Sequence, residues 1–296
     1  MKVIKAALIL FLACFVILVW NLWSSHSISI TKDQMKTFIS VVDEVSVGKI
    51  QVNWKDVAAV SAVRNDGDFE SISDDKIKET ANVFIGKQGN QFTLRTIDEV
   101  INQLDFDAEQ MKSVKQYSEY LNDEVVYSHK LNENLNKNFI ASIKDAAIDN
   151  FLNYGVLPSI TISQAILESD WGRSQLAVDY NNLFGIKDHR KWQGETASLK
   201  TTEFYDKQIQ ANFRAYDSIS QSVKDHGLFL SENPRYTKNG LFSSKTYIEQ
   251  AKALENAGYS TAEDEQGNKM YSRLLIQLIQ QYELQLIDSA VYQQQA

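Results

Sequence analysis

A chain of 296 residues with 44% apolar residues but only two Pro and twelve Gly is neither linker-rich nor disordered, and it reads as a mostly helical globular protein. Its net charge of −8 excludes the basic footprint of a nucleic-acid binder, so no nucleic-acid partner is expected. The single Cys, Cys14, leaves no intramolecular disulfide. The histidines His26, His129, His189 and His226 show no ligand spacing, so neither a metal nor another cofactor is expected.

The chain begins with Lys2 and Lys5, then an unbroken apolar run from Ala6 to Trp20, with Leu22 and Trp23 just beyond. As a helix, Ala6 to Trp23 is about 27 Å long, close to the hydrocarbon thickness of a bilayer. The basic start and the aromatic far boundary predict that residues 1–23 form a transmembrane signal-anchor. The remainder would then lie on the extracellular side of the cell membrane. Ser25 and Ser27 keep a cleaved signal peptide open as an alternative. A lipoprotein reading of Leu12-Ala13-Cys14 is weaker, because the residues after Cys14 stay apolar.

Residues 24–138 read as an all-helical accessory domain of short amphipathic segments. Lys36 to Val45 and Trp54 to Val63 each carry an apolar stripe. Ser73 caps a third helix, which Gly86 stops, and Thr96/Glu99 and Asp107/Gln110 have the spacing of capping boxes. No cluster of catalytic residue types stands out. Such a domain would hold the C-terminal half of the chain off the membrane, or dock a membrane partner.

The Asn-rich stretch Asn132 to Asn138 suggests a boundary, with a catalytic domain over 139–290. Phe139, Ile140, Ile143, Ala147 and Phe151 line a helix that ends at Gly155, and Pro158 opens the next. On that second helix Ile160, Gln164, Leu167, Glu168 and Trp171 share a face. A carboxylate at a helix C-terminus is disfavoured as an anion, and partial burial raises its pKa further, which makes Glu168 a candidate general acid. Past Lys187 the period falls to two, predicting a hairpin of Glu195 to Tyr205 with Ile209 to Tyr216. A loop centred on Lys207 sets Glu203 opposite Ala211, the only charge on an otherwise apolar face, as a cleft-lining residue would be. A slip of one residue would instead turn Glu203 to solvent. Helices come next at Ser218 to Leu230, Tyr247 to Ala257 and Leu274 to Leu286.

Several of these segments match one known pattern. Glu168-Ser-Asp-Trp-Gly-Arg-Ser174, followed by Asn181-Asn-Leu-Phe-Gly-Ile-Lys187, resembles the "ESxWGxS" and "NNLFGIK" segments of the glucosaminidase family of peptidoglycan hydrolases. Thr201 to Ser222 is similar to the family's "TTEY…FRxYxSxxxS", and Ala257 to Thr261 with Tyr271 to Leu274 to its "GYATDPxYAxKL". In the last segment the chain departs from the pattern: Glu263 to Asn268 lengthens the loop and the Asp-Pro pair is missing. The correspondence therefore carries over at Tyr259 more clearly than at Tyr271.

The resemblance implies a mostly α (α+β) architecture: a lysozyme-like catalytic domain with a small β-hairpin lobe, after the accessory domain and the transmembrane helix. It also implies cleavage of the β-1,4 bond between N-acetylglucosamine and N-acetylmuramic acid, with Glu168, Glu203 and Tyr259 as catalytic residues. Glu203 would act as base in an inverting route, for which the carboxyls lie about 6.5–9.5 Å apart. Alternatively the substrate's 2-acetamido group attacks, and Glu203 or Tyr259 orients it or stabilises charge. Trp171, Asn182, Phe184, Tyr216 and Tyr236 are the expected substrate-binding residues, with Trp192 a further stacking surface. Lys187, Arg190 and Lys191 could meet peptide-stem carboxylates. Peptidoglycan strands are the expected partner, and the anchored architecture resembles members that act beside a polytopic membrane protein. A muramidase or lytic transglycosylase stays open, although no "GLMQ"-like segment comes after Glu168, as does a non-catalytic membrane-anchored scaffold.

Overall fold

The computed structural model describes residues 30–123, 133–189, 192–203 and 207–295. The anchor expected at 1–23 lies outside them, as do Arg190, Lys191 and Tyr205. Among the described residues no helix is long and apolar enough to cross a membrane.

Local signals set most of the N-terminal helices. Helix α1 (Lys32–Ser46) starts earlier than its apolar stripe because Thr31 and Gln34 close a capping box. Asn53 caps α2 (Trp54–Val63), whose bounds are those expected from its stripe, and Ser73 caps α3 (Asp74–Phe84). The two capping boxes read from the sequence both form, at Thr96 before α4 (Ile97–Gln103) and at Asp107 before α5 (Ala108–Asp123).

The all-helical expectation needs one correction. Strands β1 (Ile85–Gln88) and β2 (Gln91–Leu94) make a short hairpin between α3 and α4. Its two-residue Gly89-Asn90 turn, with Gly89 at φ 61°, is a hairpin signal that the flanking helical periodicity hides. Gly86 is a strand residue rather than a helix stop. It pairs with Thr93, whose Oγ1 would lie 2.5 Å from any Cβ placed there.

The boundary expected after Asn138 falls inside α6 (Glu133–Tyr154). From Glu133 on, the Asn-rich stretch is helical because it has something to pack on: Asn136 is buried and donates to the Tyr282 hydroxyl at 3.0 Å. Helix α7 (Pro158–Ser169) is next and is buried on every side from Pro158 to Ile166. After α8 (Gln175–Tyr180) comes the expected hairpin, β3 (Thr196–Glu203) against β4 (Lys207–Arg214). Its register differs from the expected one. Thr201 pairs with Ile209 and Glu203 with Lys207, so the loop is centred two residues earlier and the register partner of Glu203 is Lys207 instead of Ala211.

Helices α9 (Ile219–Ser231), α10 (Pro234–Lys238) and α11 (Tyr247–Asn256) complete the middle of the chain. The single final helix expected at 274–286 is two, α12 (Tyr271–Gln281) and α13 (Gln285–Gln295), with Glu283 at φ 54° in the break. Among the described residues the fold is thus mostly helical with two small two-stranded sheets.

One apolar core runs from Ile30 to Tyr292 and takes in both the N-terminal helices and those after α6. Polar ties cross the same junction. The Tyr247 hydroxyl and Gln280 donate to the buried Asp43 of α1, and Lys55 of α2 ion-pairs with Glu283 at 3.1 Å.

Candidate active site

Helix α7 presents Glu168, and its two ends are fixed by different means. At the N-terminus, where free N–H groups need acceptors, the Ser159 N–H and hydroxyl donate to the Asp288 carboxylate at 2.9 and 2.6 Å. Gln250 accepts from the Leu157 N–H at 2.9 Å. At the C-terminus the chain turns sharply through Asp170, Trp171 and Gly172, with φ of 50°, 60° and 72°. The Ser169 hydroxyl accepts from the Gly172 N–H at 2.7 Å. Only glycine fits at 172, because a Cβ would meet the Phe139 ring at 2.7 Å.

Glu168 keeps solvent access, yet the walls around it remove much of its hydration, as in an open cleft. This desolvation raises its pKa, and a hydrogen bond from Tyr271 partly offsets the rise. The Tyr271 hydroxyl donates to Glu168 Oε1 at 2.8 Å and accepts from Gln164 Nε2 at 3.0 Å. Gln164 lies one turn before Glu168 on the same face and is fully buried. The amide on one side fixes the direction of the phenol proton towards the carboxyl on the other. Burial and the nearby Glu168 hold the Tyr259 and Tyr271 phenols neutral well beyond their usual range.

A train of rings connects this centre to the other expected residues. Tyr259 stacks on Tyr271, with centroids 5.3 Å apart and planes at 20°. Tyr236 and His226 each lie 6.2 Å from Tyr259, and Phe184 stacks on His226 at 3.8 Å. Burial lowers the His226 pKa to about 3, so this imidazole is a neutral packing group. Glu168, Tyr259, Tyr236 and Phe184 therefore belong to one assembly.

The remaining expected residues lie elsewhere. Trp171 packs edge-on against Phe139 and Tyr282, at 6.1 and 4.8 Å. Asn182 is a bracket inside the protein rather than a free sugar contact. It is 1% exposed, its amide donates to the Ile186 and Arg214 carbonyls, and its oxygen accepts from the Phe184 and Ile186 N–H groups. All four of its bonding positions are used. Tyr216 belongs to a buried hub at the root of the β3–β4 hairpin, where its hydroxyl and Arg214 Nη1 both donate to Asp225 Oδ2 at 2.6 Å. Arg214 also lies over the Trp192 ring, 4.7 Å from its centroid. Glu203 ends β3, on the far end of the hairpin from this hub.

Sequence reasoning gave Tyr271 less weight than Tyr259 and gave Gln164 no role. The usable signal was the four-residue spacing from Gln164 to Glu168. The longer loop that argued against Tyr271 is absorbed by a small turn, in which Glu263 bridges Lys269 and Asp264 holds Asn268.

Comparison with known proteins bears on the same part of the chain. Residues 144–284 match the Glucosaminidase family, described as mannosyl-glycoprotein endo-beta-N-acetylglucosaminidase. The chain is 36% identical over 156 residues to the exo-glucosaminidase LytG of Bacillus subtilis, covering 51% of this chain and 52% of that one. It is 33% identical over 152 residues to the peptidoglycan hydrolase FlgJ of Salmonella typhimurium, covering 49% and 46%. The chain thus spans about half the length of these curated relatives. Among solved structures, the catalytic domain of the autolysin Auto from Listeria monocytogenes is 31% identical, with a TM-score of 0.46 over 62% of this chain and 98% of that one.

Proposed function

We propose that the chain is a glucosaminidase-family peptidoglycan hydrolase and that it cleaves the β-1,4 bond between N-acetylglucosamine and N-acetylmuramic acid in peptidoglycan, with Glu168 as the acid. The observation that carries the reading is the state of that carboxyl. Desolvation favours its protonated form, and a neutral phenol occupies Oε1, which leaves Oε2 to hold the transferable proton. Protonation of the glycosidic oxygen from Oε2 lets the leaving sugar depart as an alcohol. The Tyr271 hydrogen bond then stabilises the carboxylate that remains.

On the opposite face of the sugar, Glu203 activates water in an inverting route, or the substrate's own 2-acetamido group attacks. The position of Glu203 at the end of a hairpin, across from Lys207, supports the first route. The catalytic part is read as a lysozyme-like helical domain with the hairpin as its lobe. Residues 1–23 are read as an anchor that keeps this part outside the membrane, beside a polytopic membrane partner. The support is the basic start, the apolar run and the Trp20/Trp23 boundary. Recovery of membrane-extracted protein that lacks Met1 to Trp23 would sink the anchor.

The test of the activity is digestion of purified peptidoglycan by the full chain beside Glu168→Gln, with borohydride reduction and sugar analysis. Reduced N-acetylglucosamine ends from the wild type alone are expected. Reduced muramic acid would make the protein a muramidase, anhydro ends a transglycosylase, and no cleavage a scaffold.

A further inference from the structure

Two adjoining hollows open on the β1–β2 hairpin, the first also bordered by the C-terminal helix α13. One, of about 390 Å³, is lined by Lys49, Asn90, Phe92, Ser243, Lys245 and Tyr292, among others. The other, of about 320 Å³, is lined by Asn82, Lys87 and Arg95 together with Lys49 and Phe92, which both hollows share. No Asp or Glu lines either hollow, although the chain carries a net charge of −8; the nearest carboxylate is that of Glu249, which accepts from the N–H of the lining Gly48 at 3.2 Å.

Three of the four cations here meet neutral groups. Lys49 Nζ donates to Asn82 Oδ1 at 3.0 Å, and Arg95 Nη1 donates to the Val83 and Ile85 carbonyls at 2.5 and 3.0 Å. Lys87 lies over the Phe92 ring, 5.0 Å from its centroid, and Lys245 is exposed. By contrast, Lys78 and Arg64, on neighbouring parts of the same helical region, are paired with Glu44 and Glu79. Four cations against the single carboxylate of Glu249 leave the hairpin face with net positive charge for an external anion. Between the cations stand amides and hydroxyls, those of Gln88, Asn90, Gln91, Thr93 and Ser243, which suit a hydroxyl-rich ligand.

This face is separate from Glu168. Tyr292 donates to the Lys245 carbonyl at 3.2 Å one turn after Asp288, the residue that binds the N-terminus of α7. Glu168 stands at the other end of that helix, about 14 Å further along its axis.

We propose that the hairpin face is a second binding site, for a hydroxyl-rich anionic chain whose negative groups are phosphodiesters or carboxylates. Each exposed lysine contact is weak and screened by salt, so a lone anion would not be retained. A chain that meets several of them at once is held by all together.

The test uses the full chain in detergent micelles and titrates poly(glycerol phosphate), polygalacturonate and neutral dextran at low and high salt. At least one of the two anionic polymers binds, more weakly at high salt, while dextran does not; which of them binds tells phosphodiester from carboxylate. Combined Lys49→Gln, Lys87→Gln and Lys245→Gln weakens that binding by about tenfold or more. Lys87→Glu and Lys245→Glu, at exposed positions, each weaken it with the melting temperature unchanged. Cleavage of short soluble glycans is unaltered in all of these variants, which separates this site from the Glu168 reaction. Binding of neither anionic polymer, equal binding of dextran, or wild-type affinity in the combined variant would overturn the proposal.

Discussion

Replacing Tyr271 with Phe removes one hydroxyl and leaves the ring that stacks on Tyr259 at 5.3 Å. Two hydrogen bonds go with it, the 2.8 Å bond to Glu168 Oε1 and the 3.0 Å bond from Gln164. A hydrogen bond to a charged carboxylate is worth about 2 kcal/mol. Expressed by half in a transition state where the proton is partly transferred, it lowers kcat about fivefold, and expressed in full about 30-fold. The pH profile supplies the sign. Tyr271 stabilises the carboxylate, so its loss raises the pKa of Glu168 further. An acid that must be protonated to act then stays active to higher pH, and the basic limb of kcat moves upward. Gln164 Nε2, left buried without its partner, costs about 1–3 kcal/mol of stability, visible as a lower melting temperature. The assay is kcat on soluble glycan fragments across pH, together with thermal melts. An unchanged kcat with a basic limb that stays in place would refute the link between the phenol and the acid.

Two further outcomes concern groups remote from the chemistry. Asn182→Ala strips four hydrogen bonds from the loop that carries Phe184, and the cost of about 2–4 kcal/mol should lower the melting temperature by roughly 5–10 °C. An unshifted melt would mean that the loop does not depend on this bracket. Burial raises the folded-state pKa of Asp43 and Asp56 to about 6 and of Asp288 to about 7, all above the unfolded value of 3.8. These three carboxyls bind more protons in the folded state, against the one proton that buried His226 loses on folding, so the net stability falls as pH rises from about 4 to about 7. Melting temperatures should be higher at mildly acidic pH than above neutrality, and a flat or rising trend over that interval would contradict the burial of these carboxyls.

What was legible in the sequence was local. Pro158 opening α7, Glu168 at its end and the capping boxes at Thr96 and Asp107 each depend on residues three or four apart, which periodicity detects. The β3–β4 hairpin was visible from its alternation, but its register depended on which residues turn the loop, and the alternation is the same for a shift of two. The β1–β2 hairpin has only four residues in each strand, too few for a period to stand out between helices. The partner of Glu168 was the hardest to see. Tyr271 lies 103 positions further along the chain, and nothing near either residue records that they meet. Asn182 was misplaced for a related reason: a motif asparagine reads the same whether it bonds a sugar or four backbone groups.

The contacts around α7 tie the N-terminal helices to the acid although none of them touches it. Asp288 and Gln250, which hold the start of α7, come from α13 and α11. The same helices face the N-terminal region on their other sides. Tyr247 of α11 reaches Asp43 of α1, and Lys55 of α2 pairs with Glu283 at the turn between α12 and α13. At this junction Lys55 and Glu283 have side-chain exposures of only 3% and 10%, so removing α1 and α2 would take the Lys55 ammonium from Glu283 and bare apolar faces on the helices that position α7. Tyr271 opens α12, so the phenol that directs the proton of Glu168 stands on one of those helices. The N-terminal region is therefore part of the frame of the active site, whatever else it binds.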